Sequence, residues 1–179
     1  LPKEVGGFTV GVLAQTNFGG SLMINGAPVG RELKKSPFSS NIPYDGEEGS
    51  CMIVIATDAP LSNRNLKRMA KRVNHAFGRV GAYSSNGSGD YAIIFSTHRT
   101  QALDDKIISS KELKNSAMNG LFIATVEATE EAIINSLFMA ETISSKYGRS
   151  ESLPIDETMK ILKKYKALNW NKKLYPWKK

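Results

Sequence analysis

The sequence predicts a mixed α/β domain with helices layered on sheets. Three observations predict it. The run CMIVIATD (51–58) is continuous, apolar and rich in β-branched residues, the composition of a strand buried on both faces. Between 62 and 80, Leu66, Met69, Ala70, Val73, Phe77 and Val80 recur at helical spacing. A much longer helical pattern follows from about 115 to 147. With 179 residues, 41% of them hydrophobic, and no internal repeat, the chain reads as a single domain, 1–179, with a sizeable core.

The elements follow in order. FTVGVLAQ (8–15) is apolar and β-branched and reads as a strand, broken by the polar and glycine residues of TNFGG. SLMI is expected as a short return strand, with Asn25-Gly26 a tight turn before APVGREL. Residues 34–49 carry Pro37, Pro43 and Gly46 without periodicity, which marks an exposed loop. Strand 51–58 comes next, then a helix with Ser62 as its N-cap. SSNGSG is a loop leading into the strand DYAIIFST. In the long helix, Leu121, Val126, Ile133, Leu137, Phe138 and Ile143 nearly encircle the axis, so a buried helix ending at Gly148 is expected. Pro154 opens a last amphipathic helix with Ile155, Met159, Leu162 and Tyr165.

Composition narrows the function. The net charge of +7 raises the question of nucleic acid, yet the densest basic cluster, RNLKRMAKR (64–72), alternates with apolar residues as the wet face of a helix. No aromatic stacking pattern accompanies it, so no nucleic-acid partner is expected. The Lys-rich segment 172–179 reads as a frayed terminus. No run has the length of a membrane span. Cys51 is the one cysteine and His75 and His98 the only histidines, which disfavours a disulfide, a zinc site or any other metal. The opening Leu1 in place of Met reads as the interior of a longer chain, with any export signal upstream; a cytoplasmic location is favoured over a periplasmic one.

The chemistry centres on Gly49-Ser50, where a polar loop becomes an apolar strand. A hydroxyl nucleophile needs a base and donors for the oxyanion. A Ser-His-Asp triad would draw on His75, on a helix surface, or His98, after a strand, and no G-x-S-x-G elbow is present. Cleavage before Ser50 offers another route. It would give Ser50 a free α-amine with an ordinary pKa of about 8, able to act as general base without imidazole. Gly49 suits self-cleavage because it lacks a Cβ and tolerates strained dihedrals. On residues alone, an ordinary Gly-Ser turn is the favoured reading.

EEGSCMIVIATDAPL resembles the processing site and following strand of the DmpA-like family of self-processing N-terminal-serine aminopeptidases, which includes L-aminopeptidase/D-esterases and β-peptidyl aminopeptidases. FTVGVLAQTNFG, LMINGAPVGREL, NGSGDYAIIFST and GLFIATVEATEEAIINSLFMAET resemble further stretches of that family. The resemblance covers nearly the whole chain but only the C-terminal half of a family member. It implies a layered αββα sandwich of the DmpA/ornithine acetyltransferase type. It also implies 1–49 as the end of an α-chain segment and 50–179 as the β-chain segment after cleavage at Gly49-Ser50. Ser50 would be the nucleophile and Asn17 the oxyanion donor. Ser88 would hydrogen-bond Ser50, with Asp90 orienting that network. The implied activity is release of N-terminal residues from short peptides, amides or esters through an acyl-enzyme, without a cofactor. The implied partners are the N-terminal part of its own precursor and further copies, in a tetramer or larger. Two alternatives stand beside it: an N-acyltransferase of the ornithine acetyltransferase-like fold, which uses threonine where this chain has Ser50, and a non-catalytic assembly domain.

Overall fold

Three strands form the central sheet in the order β1-β2-β3: β1 (Val10–Asn17), β2 (Ser50–Thr57) and β3 (Tyr91–Ser96). The computed structural model describes residues 1–37, 49–98 and 111–168. β1 runs antiparallel to β2, with Val10 opposite Thr57 and Asn17 opposite Ser50. β3 runs parallel to β2, Tyr91 beside Met52 and Ser96 beside Thr57. The parallel pair is joined through α2 (Asn63–Ala70) and α3 (Val73–Arg79), as a parallel crossover requires.

Alternation decides what each face of the sheet does. Cys51, Ile53 and Ile55 are fully buried against Val73, Phe77, Val80 and Ile133, with Val10, Val12 and Ala14 completing that core. Ile133 belongs to α4 (Asn119–Met139), whose buried stripe is Leu121, Thr125, Thr129 and Ile133. The two threonine hydroxyls donate to the carbonyls four residues back, at 2.7 Å each, so the stripe meets the core with those polar atoms satisfied. The opposite face is open. Leu13, Tyr91, Ile93 and Phe95 are 71%, 64%, 56% and 46% exposed, with Met52 among them. Strand β2 was expected to be buried on both faces; among the described residues only the helical face is covered. That is the arrangement of half a sandwich, one sheet with one helical layer.

Several local expectations are corrected. SLMI forms no strand; a single bridge joins Ile24 to Ala27 around Asn25 (φ 47°) and Gly26 (φ 80°), both left-handed as a tight hairpin turn demands. The helix expected over 62–80 is two helices. Hydrogen bonds of three-residue spacing, Arg72 N–H to Met69 O and His75 N–H to Arg72 O, tighten the chain between them. The bend sets the Arg72 guanidinium 3.9 Å over the Phe122 ring. The long helix stops at Met139, and Ile143 lies instead in a hairpin of β4 (Ile143–Ser145) and β5 (Gly148–Ser150). The Thr-Ile-Ser-Ser run holds residues of weak helix preference, and tertiary pairing prevails over the apolar periodicity. Nor is α4 buried all round, since Ile123 is 59% exposed. A smaller core unites Ile24 and Val29, which opens α1 (Val29–Glu32), with Ile161 and Leu162 of α5 (Ile155–Lys164). No helix among the described residues is long and apolar enough to cross a membrane. Most of the expected loop 34–49 and all of the segment 172–179 lie outside the described residues.

Candidate active site

Strand register brings Asn17 and Ser50 together. They are direct cross-strand partners at one end of the sheet and share its open face, which places their Cβ atoms about 5 Å apart. Asn17 closes β1 as an exposed strand residue, not in the turn expected after residue 15, and it also lines a cavity near that strand end. Gly49 is needed for a close approach. A Cβ there would stand 2.6 Å from Asn17 O and 2.8 Å from Phe18 Cα, both backbone atoms. Its φ lies outside the left-handed region, so missing bulk, and no strained dihedral, is what the position requires.

The loop before β3 grips the first two residues of β2. Ser50 Oγ donates to Gly49 O at 2.8 Å and accepts the Gly89 N–H at 3.1 Å. Cys51 N–H donates to Asp90 Oδ1 at 2.9 Å. Asp90 therefore holds the backbone beside Ser50. Ser88 was expected to hydrogen-bond Ser50, and it does not do so here; the Gly89 amide makes that contact. The Ser88 hydroxyl is buried without a hydrogen-bond partner among the described residues, in a recess of about 10 Å³ shared with Phe18, Ser85 and Asp90. Burial pushes the Cys51 thiol up to about 11, with the Asp90 carboxylate adding to the effect, so this cysteine is a packed apolar residue and not a nucleophile.

Neither imidazole serves Ser50. β3 starts beside Met52 and runs parallel to β2, so His98, beyond its far end, lies more than about 20 Å from Ser50 by strand rise. His75 is exposed on α3, in the helical layer on the other side of the sheet. A larger cavity of about 660 Å³ opens near the end of β1, lined by Thr16, Leu22, Ile133, Ser136 and Leu153 among others, and Ser50 is not part of it. The arrangement around Ser50 can place a hydroxyl against the preceding carbonyl, with an amide N–H behind it and a carboxamide across the strand. The Gly89 N–H was missed in the sequence because a backbone donor leaves no residue-type signal; the tight glycine loop before a strand was the available clue.

A family model, Peptidase family S58, matches residues 1–151, a span that holds Asn17, Gly49, Ser50, Ser88 and Asp90. The chain belongs to this family. The β-peptidyl aminopeptidase BapA of Sphingosinicella microcystinivorans is 40% identical over 176 residues, which are 90% of this chain and 44% of that protein. Among solved structures, a β-aminopeptidase from a Burkholderia species superposes with a TM-score of 0.76 at 29% identity, over 96% of this chain and 48% of that one. The L-aminopeptidase D-Ala-esterase/amidase of Ochrobactrum anthropi, a prototype of the serine aminopeptidases and a variant of the Ntn hydrolase fold, matches with a TM-score of 0.71 at 24% identity. The match covers 89% of this chain and 49% of that structure. The family shares its fold with this chain, which spans less than half the length of the curated relatives it matches.

Proposed function

We propose that the protein is a self-processing serine aminopeptidase whose nucleophile is Ser50. The observation that carries this reading is the Ser50 hydroxyl at 2.8 Å from the Gly49 carbonyl oxygen, held from behind by the Gly89 amide, in a chain of the S58 family. In processing, Ser50 Oγ attacks the Gly49 carbonyl carbon. The C–N bond breaks, the proton passes to the released Ser50 nitrogen, and water hydrolyses the resulting ester. The products are a segment ending at Gly49 and a segment, 50–179, beginning at Ser50. The new amine, with an ordinary pKa of about 8, takes the proton of its own hydroxyl when a substrate is attacked.

In turnover, the scissile carbonyl of a short peptide, amide or ester becomes an ester on Ser50 and its amine or alcohol departs. Water then frees the N-terminal residue. The Asn17 carboxamide donates to the oxyanion. Asp90 fixes the Cys51 amide and thereby the attacking residue, and Ser88 serves the proton network beside it. No metal or organic cofactor enters any step. The name of the BapA relative supports aminoacyl and β-aminoacyl amides as the substrate class. The open sheet face with Leu13, Ile93 and Phe95 supports the remaining part of its own precursor as the partner that completes the sandwich. Assembly into tetramers or larger, in the cytoplasm, is part of the same reading.

Intact mass under denaturing conditions tests it. The natural full-length protein should give fragments ending at Gly49 and starting at Ser50, whereas Ser50→Ala should stay uncut and fail to hydrolyse an aminoacyl p-nitroanilide. An uncut, active wild-type chain, or activity surviving in Ser50→Ala, refutes the proposal.

A further inference from the structure

The helical layer lies on the side of the sheet away from the face left to the rest of the precursor, and it sorts its charge by element. The segment from α2 to α3, 63–79, carries six lysines and arginines and no acid; α4 carries Glu127, Glu130 and Glu131 and no base. Ile123, Glu127 and Glu131 follow the buried Leu121, Thr125 and Thr129 by two positions, about 200° round the helix, and all three are exposed. Arg72 sits over Phe122 and Arg79 bridges Glu130 at 2.8 Å, so α3 and α4 run in the same direction. Between them lies a groove of about 410 Å³, with Arg72, His75 and Arg79 on one wall and Phe122, Ile123 and Val126 on the other. Glu127, Glu131 and Arg72 make no ion pair among the described residues.

We propose that this groove seats a two-fold contact with a second copy of the chain. The proposal rests on the reading that the protein assembles with its own copies, and gives that assembly its surface. A two-fold axis along the groove lays each copy's α4 over the other's α3 and keeps positions along the helices unchanged. Glu127 of one copy then meets Arg72 and His75 of the other, Glu131 meets Arg79, and each contact occurs twice. The two acids find in the second copy the cations that they do not pair with in their own. An axis across the groove would set acid on acid and base on base, so charge selects the orientation. Ile123 meets its own copy near the axis, beside Phe122 and Val126, as an apolar centre inside a charged rim. The Arg72 guanidinium is already held by the Phe122 ring and by donation to Arg68 O at 3.0 Å, so little side-chain freedom is lost when it pairs. A copy of the chain is favoured over an unrelated partner because both members of each charge pair lie side by side on this one surface.

The test follows the mass of the full-length protein by sedimentation over a dilution series, for the wild type and for Glu127→Arg, Arg72→Glu and Ile123→Asp. Glu127→Arg and Arg72→Glu should each raise the dissociation constant of the contact about 100-fold, because like charges then face each other on both sides of the axis. At concentrations where the wild type stays assembled, these variants should fall to half its mass or less, and Ile123→Asp should do the same by putting a charge in the apolar centre. An equimolar mixture of Glu127→Arg and Arg72→Glu should regain the wild-type mass, since both contacts then pair opposite charges. That recovery requires both chains to be folded, so misfolding cannot imitate it. A wild type that is monomeric throughout the series, variants that keep the wild-type mass, or dissociated variants that do not recover when mixed overturns the proposal. Assembly that persists in all three variants would mean that the copies join elsewhere. Failure of the Ser50 reading would show differently, as a wild-type chain never cut at Gly49-Ser50 whatever its assembled mass.

Discussion

Gly49→Ala probes the junction with a single methyl group. The added Cβ would lie 2.6 Å from Asn17 O and 2.8 Å from Phe18 Cα, whereas ordinary contact starts at 3.4 Å. The two strands must therefore part by about 0.8 Å at the first rung of the ladder, where Asn17 faces Ser50. Both obstructing atoms are backbone, so no side chain can swing away. Overpacking of this kind costs about 1–3 kcal/mol, and in a chain of this size each kcal/mol lowers Tm by about 2–4 °C. The effect on chemistry is larger in proportion, because a displacement approaching 1 Å at reacting atoms costs about a hundredfold. Processing of the full-length precursor, followed by mass against time, should slow by 10- to 100-fold on that scale. Gly89→Ala is the control: its Cβ would meet Ser50 Oγ and the Tyr91 ring at ordinary contact distance, and the N–H that serves Ser50 remains. A Gly49→Ala protein that matches wild type in both Tm and processing rate would refute the close approach and the role drawn from it.

Asn17→Ala should lower kcat by about 100- to 1000-fold with KM nearly unchanged, the signature of a donor that acts on the oxyanion; a rise in KM alone would count against that role. Cys51 should resist iodoacetamide at pH 8, because a thiol pushed up to about 11 is about one part in a thousand thiolate there. The fold favours its protonated form, so this contribution to stability is complete below the ordinary thiol pKa and fades as pH rises towards about 11. Fast alkylation of the native protein, compared with the denatured one, would contradict the burial.

The legible parts were those with a local cause. β2 announced itself because its inward residues Ile53 and Ile55 and its half-buried Val54 are all apolar, and α2 because its apolar spacing is short-range. The uncovered face of β2 was misread because an apolar run reports that a face must be covered, not by what. Ile143 was placed on the long helix because apolar periodicity continues past Met139, and only the pairing of β4 with β5 shows where the helix yields. Asn17, Gly49, Ser50, Ser88 and Asp90 were named from the sequence, yet their contacts were not. Which hydrogen reaches Ser50 Oγ is decided by backbone path, and residue type says nothing about that of Gly89.

The position of Ser50 at the start of the central strand bears on why a cut there can be survived. A strand end created by scission would ordinarily fray. Here the residues after the Gly49-Ser50 bond are held from both sides by contacts that do not involve that bond. Ser50 pairs with Asn17 across β1, its hydroxyl receives the Gly89 amide, and the Cys51 amide is fixed by Asp90. Cys51, Ile53 and Ile55 anchor the same strand in the helical core. Breaking the Gly49-Ser50 bond removes the hydroxyl's contact with Gly49 and none of these. An amine released there would stay beside its own hydroxyl, across the ladder from Asn17, because rigidity comes from the neighbouring strands and not from the chain before Ser50.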